Sequence, residues 1–321
     1  MRIMKGAIAA MALLSASAGA AQPAQEITAP GPQGDLHGTF LAPADGGPIL
    51  LIIPGSGPTD RDGNSPAGLS AASYRLLAEG LAAQGIGSVR IDKRGMFASA
   101  AAVADPNAVT IDSYVADVAS WIGAIRGKTG ARCVWLAGHS EGGLVALAAA
   151  GKVEALCGLV LIATPGRSLG TIMREQLQAN PANAPVLPDA LRAIALLEAG
   201  QHVDISGFHP ALQQLFAPQV QDFLIDMMKL DPAKLAAATD LPMLIVQGNR
   251  DIQISLADAE ALHTARPTAV YRVLNHVNHT LKTVDSEDLA ANIATYTDPN
   301  LPIAPAVVDA IAAFVTTQQG D

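Results

Sequence analysis

Aromatic and charged side chains are scarce in this sequence of 321 residues. Phe, Trp and Tyr make up 4% of it, and Asp, Glu, Lys and Arg make up 15%. Few rings are therefore available for a base-stacking platform or an aromatic-lined sugar groove. The 20 basic residues are outnumbered by 29 acidic ones, and the net charge of −9 repels phosphate backbones. The composition argues against nucleic acid as a partner and favours a small ligand with little aromatic character.

Long apolar runs are also lacking near the N-terminus. The apolar stretch over residues 7–14 is far shorter than the roughly 20 residues that span a bilayer, so no stable membrane insertion is expected. It follows two basic residues and ends in small residues of the A-x-A type at positions 18–20, the pattern that signal peptidase cleaves. We therefore expect residues 1–20 to be a signal peptide and residues 21–321 to act in the periplasm or outside the cell.

Cysteine occurs twice, as Cys133 and Cys157. Neither residue has the paired His spacing of a zinc site, and no metal is expected. Both lie at the openings of predicted strands, and neighbouring strands bring Cα atoms within disulfide range. Because disulfides persist outside the reducing cytosol, export favours a bridge between the two over the alternative of two small buried hydrophobic residues.

Short aliphatic runs alternate with helix-like stretches along most of the chain. Half of the residues are hydrophobic, which is enough for a substantial core. Since each run is followed by a turn and a helical pattern, we expect an α/β fold with a doubly wound, mostly parallel sheet. The predicted strands are 49–53, 87–91, 133–137, 159–163, 244–247 and 270–274, and the predicted helices are 74–83, 111–125, 141–150, 257–265 and 306–315.

A helical segment interrupts this alternation from residue 167 to about residue 239. Helical patterns at 173–178, 189–198 and 220–229 are separated by prolines, and we recognise no strand pattern between them. Open parallel sheets bind ligands outside the carboxyl ends of their strands. We therefore expect this helical insertion to form a lid or an acyl-pocket wall, the alternative being a structural excursion.

Residues 138–142 read Gly-His-Ser-Glu-Gly and lie between a predicted strand and a predicted helix. The motif G-x-S-x-G makes a sharp turn that presents the serine above a sheet. A serine can also stand at a glycine turn merely as a helix N-cap. The position between strand and helix favours Ser140 as a nucleophile.

A serine nucleophile needs a general base and an acid that orients the base, and after this motif they follow in the order Asp, His. Asp251 follows the predicted strand 244–247, and two histidines, His276 and His279, follow the strand 270–274. We prefer His279 as the base because His276 follows the strand too closely to reach over it. The alternatives are an Asp that caps the next helix and a hydrogen-bonded loop His.

Backbone N–H groups that could stabilise an oxyanion are predicted on two loops. One belongs to Glu141, directly after the nucleophile, and the other to Ser56 or Gly57 after the first predicted strand. Residues 55–57 lack the third glycine of a dinucleotide-binding loop, and residues 127–129 lack the first glycine of a phosphate loop. We expect no cofactor.

The segments GSGPTDRDGN (55–64), DKRG (92–95), GHSEGG (138–143) and NHTLK (278–282), together with Asp251, carry a family resemblance. They resemble the bacterial α/β-hydrolase superfamily, and most of all its secreted, esterase-like members that are grouped with serine aminopeptidase-type, S33-like hydrolases. The similarity runs from about residue 34 to the C-terminus and weakens across the helical insertion.

The resemblance implies an α/β-hydrolase domain with a lid and Ser-His-Asp acyl transfer. We therefore expect an exported carboxylesterase that acts on a small-molecule ester with a short acyl chain. The alternatives are an aminopeptidase or amidase with the same triad, and a catalytically silent binding protein with this fold.

Charged residues lie around these motifs. Asp60, Arg61, Asp62 and Arg94 are expected to form a buried ion network that fixes the oxyanion loop against the 92–95 turn, the alternative being contact with substrate. The Glu141 side chain is expected to anchor the turn at the nucleophile.

Overall fold

A computed structural model describes residues 23–44 and 46–318, and the predicted signal peptide lies outside the described residues. Its strands are β1 (Gln25–Pro30), β2 (Asp35–Leu41), β3 (Ile49–Ile53), β4 (Asn64–Ser65), β5 (Leu69–Ser70), β6 (Gly87–Ile91), β7 (Val134–His139), β8 (Leu156–Ile162), β9 (Met243–Gly248) and β10 (Val270–Leu274). Eight of them form one sheet in the order β1-β2-β6-β3-β7-β8-β9-β10, and β4 pairs with β5 as a small separate hairpin.

The sheet from β6 to β10 is parallel, which confirms the predicted architecture. Its central strand β3 is buried along its whole length, as a short aliphatic run covered on both faces should be. The antiparallel strands β1 and β2 were not predicted. Buried side chains alternate with exposed ones in β1 and with half-buried ones in β2, and neither strand contains a continuous aliphatic run.

Helices cover both faces of the sheet. On one face α2, α3 and α9 share a core with the inward side chains of the strands, and on the other face α1 and α11 do so. The helices are α1 (Ser73–Ala83), α2 (Ile111–Thr129), α3 (Glu141–Ala149), α4 (Leu169–Ala179), α5 (Leu187–Glu198), α6 (Pro210–Leu215), α7 (Pro218–Met228), α8 (Pro232–Ala237), α9 (Leu256–Ala265), α10 (Leu289–Ala294) and α11 (Pro305–Thr317).

Helices α4 to α8 form the helical insertion between β8 and β9. Three of them begin with proline, whose fixed φ and missing N–H suit the first turn of a helix. Buried side chains such as Ile194, Phe208 and Phe216 give the insertion a hydrophobic core of its own. The insertion is therefore a packed unit above the sheet.

A disulfide joins Cys133 and Cys157, with their Cα atoms 5.1 Å apart. It links the starts of β7 and β8, which are neighbours in the sheet. Among the described residues, no helix combines the length and apolar character needed to cross a membrane. Nor do the described residues gather three or more His, Cys, Asp or Glu side chains into a group that could hold a metal ion.

Candidate active site

Ser140 occupies the turn between β7 and α3 with a φ of 54° and a ψ of −122°. A positive φ is rare for a residue with a side chain and places backbone strain at this turn. The turn is packed so tightly that a Cβ on Gly142 would lie 2.2 Å from the carbonyl oxygen of Ile53. Glycine is thus required there on steric grounds, and the turn presents Ser140 at the carboxyl edge of the sheet.

Asp251 and His279 lie in the loops that follow the neighbouring parallel strands β9 and β10. The Nδ1 of His279 lies 2.8 Å from the Oδ2 of Asp251, and both side chains are buried. Because a carboxylate only accepts, the imidazole donates from Nδ1 and its Nε2 is left to act as a base.

The environment of Asp251 favours its charged form. Burial alone would raise the pKa of this carboxyl group, but the charge of His279 and the hydrogen bond from it hold the pKa below the ordinary value. The backbone N–H groups of Gln253 and Ile254 also donate to Oδ1, at 2.8 Å and 2.9 Å. Asp251 is therefore suited to fix the imidazole and to stabilise its protonated form.

Ser140 and His279 line the same cavity of about 120 Å³, which we call the small cavity. The His279 ring lies 4.7 Å, centroid to centroid, from the ring of His139, the residue directly before Ser140. No hydrogen bond joins the Ser140 hydroxyl to the His279 imidazole in the part of the chain that the structure describes. Such bonds commonly tighten only when substrate binds. The arrangement fits a nucleophile and base whose contact is completed by substrate.

The alternative base, His276, turns away from this cavity. Its Nδ1 lies 3.6 Å from a carboxylate oxygen of Asp285, and its side chain is 49% exposed. His276 also has a φ of 62°, so the chain makes a sharp turn shortly after the end of β10. The structure thus places His279, and not His276, with Asp251.

The predicted oxyanion groups lie around the nucleophile. Glu141 is the first residue of α3, so its backbone N–H is one of those that have no partner within the helix. Ser56 and Gly57 lie on the loop after β3, where a Cβ on Gly55 would be 3.3 Å from the Cβ of Ser140. This loop therefore runs close enough to the nucleophile to supply a second donor.

Tyr74 and His139 connect the three loops of the site through a chain of hydrogen bonds. These hydrogen bonds were not predicted from the sequence. The His139 Nε2 lies 2.9 Å from the carbonyl oxygen of His279 and must donate to it, which makes Nδ1 an acceptor for the Tyr74 hydroxyl, also at 2.9 Å. The Tyr74 hydroxyl in turn accepts from the N–H of Gly55. Burial, together with the charge of His279, lowers the pKa of His139 to about 3, so this imidazole is neutral.

A buried ion pair joins the turn at Ser140 to the candidate oxyanion loop. The Lys93 ammonium group donates to the Glu141 carboxylate at 3.0 Å and to the carbonyl oxygen of Gly55 at 2.7 Å. Both charged side chains are almost fully buried. The Glu141 side chain thus holds the turn against the loop. In the sequence analysis Lys93 was noted only as part of the 92–95 motif, and this ion pair was not predicted.

The expected ion network forms in part. Arg61 binds Asp92 through its backbone N–H and its guanidinium group, and Asp62 pairs with Arg90. Asp60 and Arg94 were wrongly placed in this network. Asp60 accepts hydrogen bonds from the backbone N–H groups of Asp62 and Asn64. Arg94 pairs instead with Asp117 on α2 and donates to the carbonyl oxygen of Ser113 on the same helix.

A second cavity of about 920 Å³ lies between the helical insertion and the sheet, and we call it the large cavity. Its wall includes apolar side chains of α4 and α7, such as Met173, Phe223 and Leu224. Glu141, Ser56 and Gly57 line its floor, and Ser56 also lines the small cavity. The two cavities therefore meet at the candidate oxyanion loop.

Comparison with known proteins identifies the family of this chain. Residues 67–285 match the family described as serine aminopeptidase, S33. Esterase EstD from Thermotoga maritima is 28% identical over 229 residues, covering 70% of this chain and 52% of EstD. The chain thus spans about half the length of this curated relative.

Solved structures resemble the fold over most of the chain. A thermophilic esterase from Thermogutta terrifontis, solved with malate bound, has a TM-score of 0.55 at 19% identity, covering 92% of this chain and 99% of that one. The α/β hydrolase GrgF from Penicillium sp. has a TM-score of 0.58 at 16% identity, covering 94% and 100%. At these identities the likeness establishes the α/β-hydrolase fold.

Proposed function

Because this chain belongs to the serine aminopeptidase S33 family of α/β hydrolases, we propose that it is an exported carboxylesterase with Ser140 as its nucleophile. The observation that carries the proposal is the hydrogen bond from the His279 imidazole to the buried Asp251, together with the cavity that His279 and Ser140 both line. An oriented base beside a strained serine turn is the constellation that acyl transfer needs.

In the proposed reaction His279 Nε2 takes the proton of the Ser140 hydroxyl as its oxygen attacks the ester carbonyl carbon. The tetrahedral intermediate collapses, the bond to the alcohol oxygen breaks, and His279 returns the proton to that oxygen. Water then attacks the acyl-enzyme with the same base, and the acid and the free serine are released. Asp251 keeps Nδ1 protonated throughout.

Two backbone N–H groups are proposed to stabilise the oxyanion. They belong to Glu141 and to Ser56, with Gly57 as the alternative on the same loop. The Lys93–Glu141 ion pair and the Tyr74 hydroxyl hold this loop against the nucleophile turn. Donors held in place before reaction cost no reorganisation when the charge develops.

The lining of the two cavities favours an uncharged substrate over one with a free amino terminus. In the part of the chain that the structure describes, Glu141 is the carboxylate that lines either cavity, and it is paired with Lys93. An α-ammonium group would need a carboxylate that is free to pair with it. An ester needs no counter-ion, so the geometry supports esterase over aminopeptidase activity.

Export is proposed from the signal-like residues 1–20, and the Cys133–Cys157 disulfide supports it. Cell fractionation followed by N-terminal sequencing of the purified protein tests this point. We expect the protein in the periplasm or medium, starting at Ala21. A reduced, uncleaved chain in the cytosol would contradict export without bearing on the esterase proposal.

Fluorophosphonate labelling tests the catalytic assignment. The purified protein should be labelled on Ser140 and should hydrolyse ethyl butanoate, a small ester whose turnover can be followed by acid release. S140A should lose both, with kcat falling by a factor on the order of 10⁴ or more. The matched control is S206A, an exposed serine on the helical insertion, which should retain both.

Two outcomes would contradict the proposal. A folded protein without label on Ser140 and without ester turnover would favour the silent binding protein. Turnover of aminoacyl-nitroanilides in the absence of any ester hydrolysis would favour the aminopeptidase.

A further inference from the structure

The two cavities differ in size and chemistry. Most of the side chains that line the small cavity are polar, including those of Gln253, Tyr296 and Ser73, and His279 and Ser140 also line it. The large cavity has a volume of about 920 Å³ against about 120 Å³, and aliphatic and aromatic side chains of the helical insertion form its wall. A substrate that occupies both must place different groups in them.

We infer that the acyl chain occupies the large cavity and the alcohol occupies the small one, so that the preferred substrates are esters of medium-chain carboxylic acids with small alcohols. The inference rests on the proposed function and adds to it the orientation of the substrate. It extends the acyl range beyond the short chains that the sequence alone suggested.

The position of the base decides which side the alcohol takes. When the tetrahedral intermediate collapses, His279 must give its proton to the alcohol oxygen, which has to lie within hydrogen-bond reach of Nε2. Among the described residues that form the two cavities, His279 lines the small cavity and not the large one. The alcohol therefore leaves from the small cavity.

The candidate oxyanion donors are consistent with this orientation. The residues Ser56, Gly57 and Glu141 lie on the floor of the large cavity, and Ser56 borders both. A carbonyl oxygen held there stands at the junction of the cavities. With the alcohol oxygen directed to His279, the remaining substituent of the carbonyl carbon points under the helical insertion.

The size and polarity of each cavity limit the group of the substrate that it can hold. The large cavity, at about 920 Å³, is of the size of a typical ligand pocket, roughly 300 to 1,000 Å³, whereas the small cavity, at about 120 Å³, lies well below that range. Each methylene that an acyl chain buries there is expected to raise kcat/KM about fourfold.

Two isomeric esters provide the test. Ethyl octanoate and octyl acetate have the same formula and similar hydrophobicity, and they differ in which side of the carbonyl carries the long chain. We expect kcat/KM to be at least about tenfold higher for ethyl octanoate. Equal values, or a preference for octyl acetate, would overturn the orientation.

Variants of the cavity wall add a second readout. L224W and V220W, which place a larger side chain on the wall of the large cavity, should lower turnover of ethyl octanoate at least about tenfold more than that of ethyl butanoate. The control is A195W, which adds the same side chain on the exposed face of α5 and should change neither ester. An equal loss on both esters in each folded wall variant would contradict the inference.

The two proposals fail in distinguishable ways. If ethyl butanoate is not hydrolysed and Ser140 is not labelled, the esterase proposal fails. If both are observed but the isomers are cleaved equally or in the opposite order, only the orientation fails.

Discussion

Replacing His139 by glutamine should change the acid sensitivity of folding. The His139 imidazole is buried and neutral, donating to the carbonyl oxygen of His279 and accepting from Tyr74. A glutamine side chain offers an NH2 group that can donate and an oxygen that can accept, and it does not titrate. H139Q should therefore remain folded, somewhat less stable at neutral pH, but without the titration that His139 contributes.

The direction of this pH effect follows from the pKa of His139 in the unfolded and in the folded protein. Burial, and then the charge of His279, lower the pKa of His139 from 6.5 to about 3 in the folded protein. Below about pH 6.5 His139 binds a proton in the unfolded chain but not in the folded one, so the free energy of unfolding decreases as the pH falls. At about 1.4 kcal/mol per pH unit, the loss attributable to His139 between pH 7 and pH 4.5 is about 2 to 3 kcal/mol.

Urea unfolding of the mature, disulfide-bonded protein at both pH values measures this difference. The free energy of unfolding of the wild type should fall by about 2 to 3 kcal/mol more than that of H139Q over this range. H209Q, which removes an exposed histidine from the helical insertion, is the matched control and should behave like the wild type.

An equal acid loss in the wild type and H139Q would refute the reasoning. It would mean that the folded protein accommodates a proton on His139 at moderate acidity, for example by rotation of the Tyr74 hydroxyl. The hydrogen-bond chain would then not hold the imidazole in one protonation state.

Two further predictions concern the charged groups of the site. D251N should keep the fold but lower kcat for ethyl butanoate by roughly 10⁴, because the amide no longer holds the correct tautomer of the base. The matched change D285N, at the carboxylate beside His276, should leave kcat within about twofold, and a large loss there would instead implicate His276. K93M should lower the free energy of unfolding by about 3 to 5 kcal/mol, since it leaves the Glu141 carboxylate buried and unpaired. K93M/E141M should be more stable than K93M in the same chemical denaturation, and failure to recover would argue that the pair is not the cause.

The sequence was sufficient to predict those structural features that residues close together in the chain specify. The bounds of β3 and β10 agree residue for residue with the predicted strands, because a short run rich in β-branched and aliphatic residues and bounded by turns is specified by its own residues. Ser140 could be located because its glycine neighbours are needed for the turn itself. Strands β1 and β2 escaped prediction because their alternating pattern is weak and antiparallel pairing at a sheet edge does not require a long aliphatic run.

Contacts between distant parts of the chain could not be read in this way. Tyr74 and His139 are 65 positions apart, and Lys93 and Glu141 are 48 apart, with no spacing rule that connects them. Each pair meets only because packing of the helices and strands brings their loops to one edge of the sheet. The same holds for Arg94, whose partner Asp117 on α2 was not foreseen.

The alternation of parallel strands and helices, the serine turn and the candidates for base and acid were thus determined by the amino-acid sequence, since each depends on residues close together in the chain. The tertiary structure placed His279 beside Asp251, and it alone decided which charges pair with one another and that a large cavity under the helical insertion adjoins a small one at Ser140 and His279. These outcomes depend on the packing of segments that are tens of residues apart in the chain. Local secondary-structure propensity does not determine that packing.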